Sequence, residues 1–243
     1  MGQRFARART AVLPAPSPGH RVPLGLLLMS RGQLTNSQLR SALAAQSESG
    51  YGRLGYWLEK LELASEQQIT AALGMQWACP ILPAFAARDA ACPRILPFRL
   101  LEHFRMLPVH WAGATRVLYV AFSQDVDYTA LYAIERMLDC RTEASLLSRS
   151  AMELSFERLR HERRSGELLF EDRRDPEEMA RTTCGYALKL GARELRIVTC
   201  GEYIWARLEC SPEVFHLLFR RPVDAEDGEL RARPNFLRHS AAG

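Results

Sequence analysis

Residues 53–76 read RLGYWLEKLELASEQQITAALGMQ, and residues 23–46 read PLGLLLMSRGQLTNSQLRSALAAQ. Set thirty positions apart, they share Leu24/Leu54, Gly25/Gly55, Leu28/Leu58, Gln38/Gln68, Ala42/Ala72, Leu43/Leu73 and Gln46/Gln76, with Thr35/Ser65 and Leu39/Ile69 as near matches. Repetition at a fixed offset decides architecture before any local signal does. Within each copy, Thr35 with Gln38, and Ser65 with Gln68, form the S/T-x-x-Q pattern of a capping box, which starts a helix. Behind each box, Leu39, Ala42, Leu43 and Gln46, and likewise Ile69, Ala72, Leu73 and Gln76, recur at helical spacing and so share one face. A shorter helix opens at each Leu-Gly pair, over roughly 24–31 and 54–61. Residues 20–77 are therefore predicted to be two helical hairpins paired as pseudo-repeats.

The following stretch changes character. Pro80, Pro83, Pro93 and Pro97 break the helical pattern. RVLYVAF (116–122) has the β-branched and aromatic make-up of a buried strand. DVDYTALYAIERML (125–138) has helical period, with Leu131, Ile134, Met137 and Leu138 on one face, TEASLL (142–147) suits a strand, and SAMELSFERLRHERR (150–164) a helix with a charged, solvated end. Residues 78–164 thus read as a small α+β unit. The charged run ERRSGELLFEDRRDPEE reads as a linker. PEEMARTTCGYALKLGA (176–192) reads as a helix with Pro176 in its first turn and Gly191 as its stop. ELRIVT (194–199) and YIWARLE (203–209) form a strand hairpin around Cys200-Gly201-Glu202. The fold class is α+β: paired helical hairpins, an α+β unit, and a helix-plus-hairpin segment over 165–220. Residues 1–19 read as a disordered basic arm and 221–243 as a disordered polar tail.

Composition narrows the chemistry. With 47% hydrophobic and 25% charged residues among 243, and a net charge of +4, the chain has the make-up of a cored globular protein without a dense Lys/Arg block, which gives no sign of a nucleic-acid partner. No apolar run of about 18 residues exists to span a membrane. The apolar part of the N-terminal arm is broken by Pro14, Pro16 and Pro18, and Ala6 stands where a myristoylation signal wants Ser or Thr. The six cysteines (79, 92, 140, 184, 200 and 210) include no CxxC pair, which fits reduced thiols in a cytoplasmic protein and argues against zinc. His103 and His110 have no carboxylate at metal-ligand spacing and read as structural. No G-x-x-x-x-G-K-[ST] loop, G-x-S-x-G or H-E-x-x-H motif occurs, so no enzyme and no cofactor is expected.

The doubled (R)LG…LxxxLxxQ pattern, followed by the VAFSQDVDYTAL segment, resembles the N-terminal (MshEN-type, general secretion pathway protein E) domain of type II secretion and type IV pilus assembly ATPases, over about residues 20–163. That resemblance implies a regulatory domain, without the ATPase motor, that binds cyclic di-GMP, each copy embracing half of the ligand. The residues it carries over are Arg53, Leu54, Gly55, Leu58, Ile69, Leu73 and Gln76 in the second copy, and Leu24, Gly25, Leu28, Leu39, Leu43 and Gln46 in the first. In the first copy Pro23 stands where the leading arginine belongs, and Arg21, two positions upstream, is a partial substitute. Glu62 replaces the mid-motif glycine that the first copy keeps as Gly32, and Ser123-Gln124-Asp125 stands in place of an Ala-Asp-Pro turn. A second likeness runs through LGARELRIVT and YIWARLECS to an eroded form of that family's next domain.

Physically, a duplicated motif suits a two-fold ligand with two bases and two phosphates. Arginine can pair with a phosphate or a guanine edge or stack on a base. The glycines would allow close backbone approach, the leucines and isoleucine at 39, 43, 69 and 73 would make an apolar floor, and the glutamines would hydrogen-bond from the rim. The same apolar residues at helical spacing are also what any helical core requires, and the glycines also serve as turn residues. Two functions follow as expectations: a cytoplasmic cyclic di-GMP receptor, peripheral to an inner-membrane machine, that signals to a secretion or pilus ATPase or its inner-membrane platform protein; or a protein-interaction adaptor for the same machine that needs no nucleotide.

Overall fold

The computed structural model describes residues 21–84, 95–161, 166–171 and 175–221. The N-terminal arm and all of the C-terminal tail beyond Arg221 lie outside the described residues. Both repeats become helix pairs: α1 (Leu24–Ser30) and α2 (Asn36–Ser49), then α3 (Leu54–Lys60) and α4 (Glu66–Trp77). Both capping boxes form. Thr35 and Ser65 accept from the backbone of Gln38 and Gln68, whose side chains accept in return from the Thr35 and Ser65 amides at 2.9 and 2.8 Å. Pro23 is the N-cap of α1 rather than its first helical residue, in the extended position that Arg53 takes before α3.

The expected pairing within each copy is replaced by an exchange. α1 packs chiefly on α4, and α2 on α3, with α1 also against α3. The first helix of each copy has only seven residues. It is too short to bury a stripe against its own neighbour alone, and lies instead on the long helix of the other copy. Leu28, Ala42, Leu58 and Ala72, four of the residues identical between copies, have zero exposure and form the centre of this helical layer with Leu34, Trp57, Ala64 and Ile69.

After α4 the chain runs beside the last strand of a three-stranded sheet: the Leu146 amide donates to the Pro80 carbonyl at 2.8 Å, and the Leu82 amide to the Leu146 carbonyl at 2.7 Å. The sheet has the order β1 (Met106–Ala112), β2 (Val117–Phe122), β3 (Arg141–Leu146) and follows α5 (Phe98–Phe104). β1 and β2 are antiparallel, while β2 and β3 are parallel because α6 (Tyr128–Leu138) crosses between them. α6 buries Leu131, Ile134 and Met137, with Leu138 half-buried. α7 (Arg149–His161) closes this unit. Its charged end is partly tied down, since Arg160 hydrogen-bonds Glu102 of α5 at 2.6 Å.

The C-terminal part holds more strand than its sequence suggested. A second sheet has the order β4 (Glu167–Phe170), β7 (Glu213–Arg220), β6 (Tyr203–Cys210), β5 (Glu194–Cys200), with α8 (Pro176–Leu190) on one face and Gly191 as its left-handed cap. β4 falls inside the run read as a linker: ELLF pairs parallel with the second half of β7. Cys200, Tyr203, Trp205 and Leu218 belong to the same buried cluster as β1–β3, α5, α6 and α7, so the sheet shares a core with the α+β unit. Glu167 of β4 also accepts from the Phe98 and Arg99 amides at 2.8 and 3.1 Å, satisfying the start of α5. His216 is buried on β7. Burial, with Arg207 beside it, pushes its pKa down to about 3, and its neutral Nδ1 accepts from Trp205 Nε1 at 3.1 Å. Of the other histidines, His103 Nδ1 lies 3.0 Å from a Glu202 oxygen at the β5–β6 turn, a structural contact.

Candidate functional site

A cavity of about 1050 Å³ opens where the helical layer meets the α+β unit. One wall is the start of both copies, Pro23 and Leu24 with Gly52, Arg53, Leu54 and Gly55. Ile69, Thr70 and Leu73 of α4 make the floor, with Gln76 at its end. The opposite wall is the turn after β2, Ser123-Gln124-Asp125, with Arg105 at the end of α5 and Arg149, Ser150 and Glu153 at the start of α7. Tyr51 and Tyr56 stand at the side.

Of the residues singled out from the sequence, Leu24, Arg53, Leu54, Gly55, Ile69, Leu73 and Gln76 line this cavity. Leu28 and Leu58 are fully buried in the helical layer and are not among its lining. Gly25 is buried for packing: a Cβ there would lie 2.7 Å from Leu39 Cδ1 and 3.3 Å from Leu54 Cδ2. Its counterpart Gly55 stands against Ile69 Cγ2 at 3.2 Å and Leu24 Cδ2 at 3.6 Å, the matching pair of neighbours. Both glycines thus let helices approach each other. Leu39 is half-buried against the helical core, while Leu43 is 42% exposed on α2, outside the cavity. Arg21 does not take the place left by Pro23; its guanidinium stacks 3.7 Å over the Trp77 ring.

The two glutamines have a structural employment that periodicity hides. Gln46 Nε2 donates to the Gly52 carbonyl at 2.9 Å, and Gln76 Nε2 donates to the Val22 carbonyl, also at 2.9 Å. Gly52 precedes Arg53 and Val22 precedes Pro23, so the end of each copy fastens the entry of the other. A repeated amide is therefore explained by packing, and in Gln76 the same side chain also faces the cavity.

Electrostatically the site is compensated. Arg53 forms an ion pair with Asp125, so the displaced aspartate of the Ser123-Gln124-Asp125 turn reaches the helical layer. Burial lowers the Arg53 pKa from its ordinary value, and Asp127 offsets part of the effect; a guanidinium stays charged regardless. Arg149 Nη2 lies 2.9 Å from Glu59 Oε2, and Arg105 Nη1 lies 2.8 Å from Glu153 Oε1. Glu66 accepts from the Ser150 amide at 2.6 Å and from Ser150 Oγ at 2.7 Å. Glu59, Glu66, Tyr56 and the α7 residues escaped sequence reasoning. The acids had a readable signal, since the equivalent first-copy positions hold Met29 and Asn36. The α7 wall had none, because it lies more than seventy positions away along the chain.

The described residues contain no cluster of three His, Cys, Asp or Glu side chains able to hold a metal. No described helix is long and apolar enough to cross a membrane. Cys79, Cys140, Cys184, Cys200 and Cys210 are free thiols; burial pushes Cys140 up to about 11 and Cys200 to about 12, so neither is a nucleophile near neutral pH.

The chain is similar in structure to MshE with cdg, at 28% identity and a TM-score of 0.47, over 57% of this chain and 99% of that one. It is also similar to the N-terminal domain of XpsE in two crystal forms. One match has 22% identity and a TM-score of 0.44 over 56% of this chain and 92% of that one. The other has 24% identity and a TM-score of 0.36 over 65% and 99%. No protein-family model matches the chain, and no curated protein does.

Proposed function

We propose that this chain is a non-enzymatic regulatory domain that binds cyclic di-GMP in the cavity and relays the messenger to a partner in a secretion, pilus or motility machine. One observation carries the reading: the opening segments of both copies, Pro23–Leu24 and Arg53–Leu54–Gly55, meet in a single cavity wall opposite Asp125. A volume of about 1050 Å³ lies just above the range for small-molecule sites, roughly 300–1,000 Å³, and suits a dinucleotide. A guanine presents acceptors at O6 and N7 and donors on its opposite edge, so an arginine beside a carboxylate offers partners to both. Ile69 and Leu73 supply an apolar floor, and Tyr51 and Tyr56 supply flat surfaces on which a base can stack.

The first copy contributes less. Pro23 keeps the backbone of the motif and lacks its guanidinium, and a charge-assisted contact is worth about 1.5–3 kcal/mol, or roughly ten- to hundredfold in affinity. Binding is thus centred on the second copy. A calorimetric titration with cyclic di-GMP tests the reading. Low-micromolar or tighter binding that Arg53→Ala weakens about ten- to hundredfold supports it. Absence of heat and of thermal shift at high ligand concentration overturns it, leaving a nucleotide-independent adaptor for a secretion or pilus ATPase or its inner-membrane platform protein.

A further inference from the structure

Each arginine of the cavity already holds a carboxylate. Arg53 has Asp125, Arg105 has Glu153 and Arg149 has Glu59, and with Glu66 four carboxylates face three guanidinium groups. An anion entering such a wall meets no surplus cation; it must take an arginine away from an acid. The four acids are not equally easy to displace. Glu66 is committed to a backbone amide and a hydroxyl of Ser150. Glu153 pairs within the α+β unit, α7 to the end of α5, and Asp125 stands on the turn beside the proposed base site. Glu59 is the remaining acid. Its single ion pair, like that of Asp125, crosses the gap between layers, here α3 to α7. Its side chain is 33% exposed, less than Asp125 at 45% and Glu153 at 41%, and still open enough for water to receive the carboxylate once it is released.

We propose that Glu59 is a specificity-determining residue of the ligand site: an internal competitor that occupies Arg149 until an acceptor-rich group of the ligand, a phosphate or the O6/N7 edge of guanine, displaces it and detaches α3 from α7. The inference rests on the cavity being the cyclic di-GMP site. Exchange of one carboxylate for one phosphate replaces a charge-assisted bond by another of the same kind, so Glu59 sets affinity without touching the ligand. Its absence from the first copy fits this role. Met29 stands at the equivalent position of α1, and Asn36 at that of Glu66, so only the copy that packs on α7 carries the acids. The detachment gives ligand binding a mechanical output, because Glu59–Arg149 ties α3 to the first turn of α7 while Glu66–Ser150, which stays in place, keeps α4 attached there.

The experiment is a double-mutant cycle read by calorimetry with cyclic di-GMP. Glu59→Gln is expected to tighten binding about tenfold and Arg149→Ala to weaken it about tenfold, while the double variant binds as Arg149→Ala alone. Glu59→Met, which installs the residue of the first copy, repeats the gain and serves if the amide disturbs folding. A Glu59→Gln affinity equal to or weaker than wild type, or a gain that survives without Arg149, overturns the inference while leaving the cavity a ligand site. Absence of binding by both wild type and Glu59→Gln overturns the reading of the cavity and this inference with it. In the wild type, saturating ligand is expected to speed amide hydrogen exchange in α3, at residues 58–60, while the Ser150 amide, held by Glu66, stays protected; slower exchange in α3 overturns the detachment.

Discussion

The two copies of the repeat keep the same scaffold and present different faces. Scaffold positions correspond pair by pair. Leu28 and Leu58 are both fully buried, Gly25 and Gly55 both admit an aliphatic side chain from each copy, and Gln46 and Gln76 reach the carbonyls before the opposite entry. Face positions diverge: Pro23 against Arg53, Leu26 against Tyr56, Met29 against Glu59, Asn36 against Glu66. The second set meets the α+β unit and encloses a cavity, whereas Leu26 of the first set is 50% exposed. Identity between copies thus mostly marks residues the helical layer needs for itself, with Leu24, Leu54, Gly55, Leu73 and Gln76 also lining the cavity, and difference marks residues that face something else. Seven identities over the repeat would suggest a symmetric binding site; most of them turn out to hold helices together.

The largest effect tests whether the scaffold is shared. Leu28→Ala and Leu58→Ala each remove a fully buried side chain and are expected to cost about 2–5 kcal/mol, with the two values within about 1 kcal/mol of each other, in urea unfolding. A much smaller cost for Leu28 would mean that α1 lies loosely on α4 and that the first copy is an accessory. A smaller effect separates scaffold from site. Gln46→Ala and Gln76→Ala each lose one hydrogen bond to a backbone carbonyl, worth about 0.5–1.5 kcal/mol. Both should destabilise alike, but only Gln76→Ala should also change cyclic di-GMP affinity, since Gln76 faces the cavity and Gln46 does not. Equal loss of affinity in both would show that the ligand spans the two copies evenly.

Sequence reading went furthest where the code is local. The capping boxes at Thr35 and Ser65, the stop at Gly191 and the buried face of α6 each depend on residues within a few positions. It stopped where partners are distant. Helical periodicity says that α1 and α3 have apolar faces but not which helix covers them, so the exchange between copies was invisible. β7 escaped because EVFHLLFR is nearly continuous in apolar residues: Leu218 faces the core shared with the α+β unit while Leu217 and Phe219 face α8, and a strand buried on both sides loses its alternation. β4 escaped because four residues in a charged run become a strand only beside β7. At the candidate site, the half contributed by α3 and α4 was legible from the motif. On the opposite side only Asp125 was marked, as the displaced aspartate of the Ser123-Gln124-Asp125 turn; its pairing with Arg53, and the part contributed by Arg105 and α7, were not, since only the folded chain brings them together.

The smallest effect concerns the position where the second copy breaks the pattern without facing the cavity. Gly32 and Glu62 are equivalent, both follow the short helix, and both adopt positive φ, 66° and 55°. Their amides make the same bond, to Met29 and Glu59 carbonyls at 2.9 Å. Glu62 therefore copies a glycine turn with a side chain that disfavours it, at about 1–2 kcal/mol for an L-residue in the left-handed region. Glycine would relieve that strain and lose about 0.5–1 kcal/mol to the greater freedom of the unfolded chain. Glu62→Gly is thus expected to stabilise by about 0.5–1 kcal/mol, measured by urea unfolding, with cyclic di-GMP affinity unchanged. A loss of stability would mean that the Glu62 side chain contributes to the turn and that the copies differ in scaffold as well as in face. A change in affinity would place the mid-motif position in the ligand site, which its absence from the cavity wall argues against.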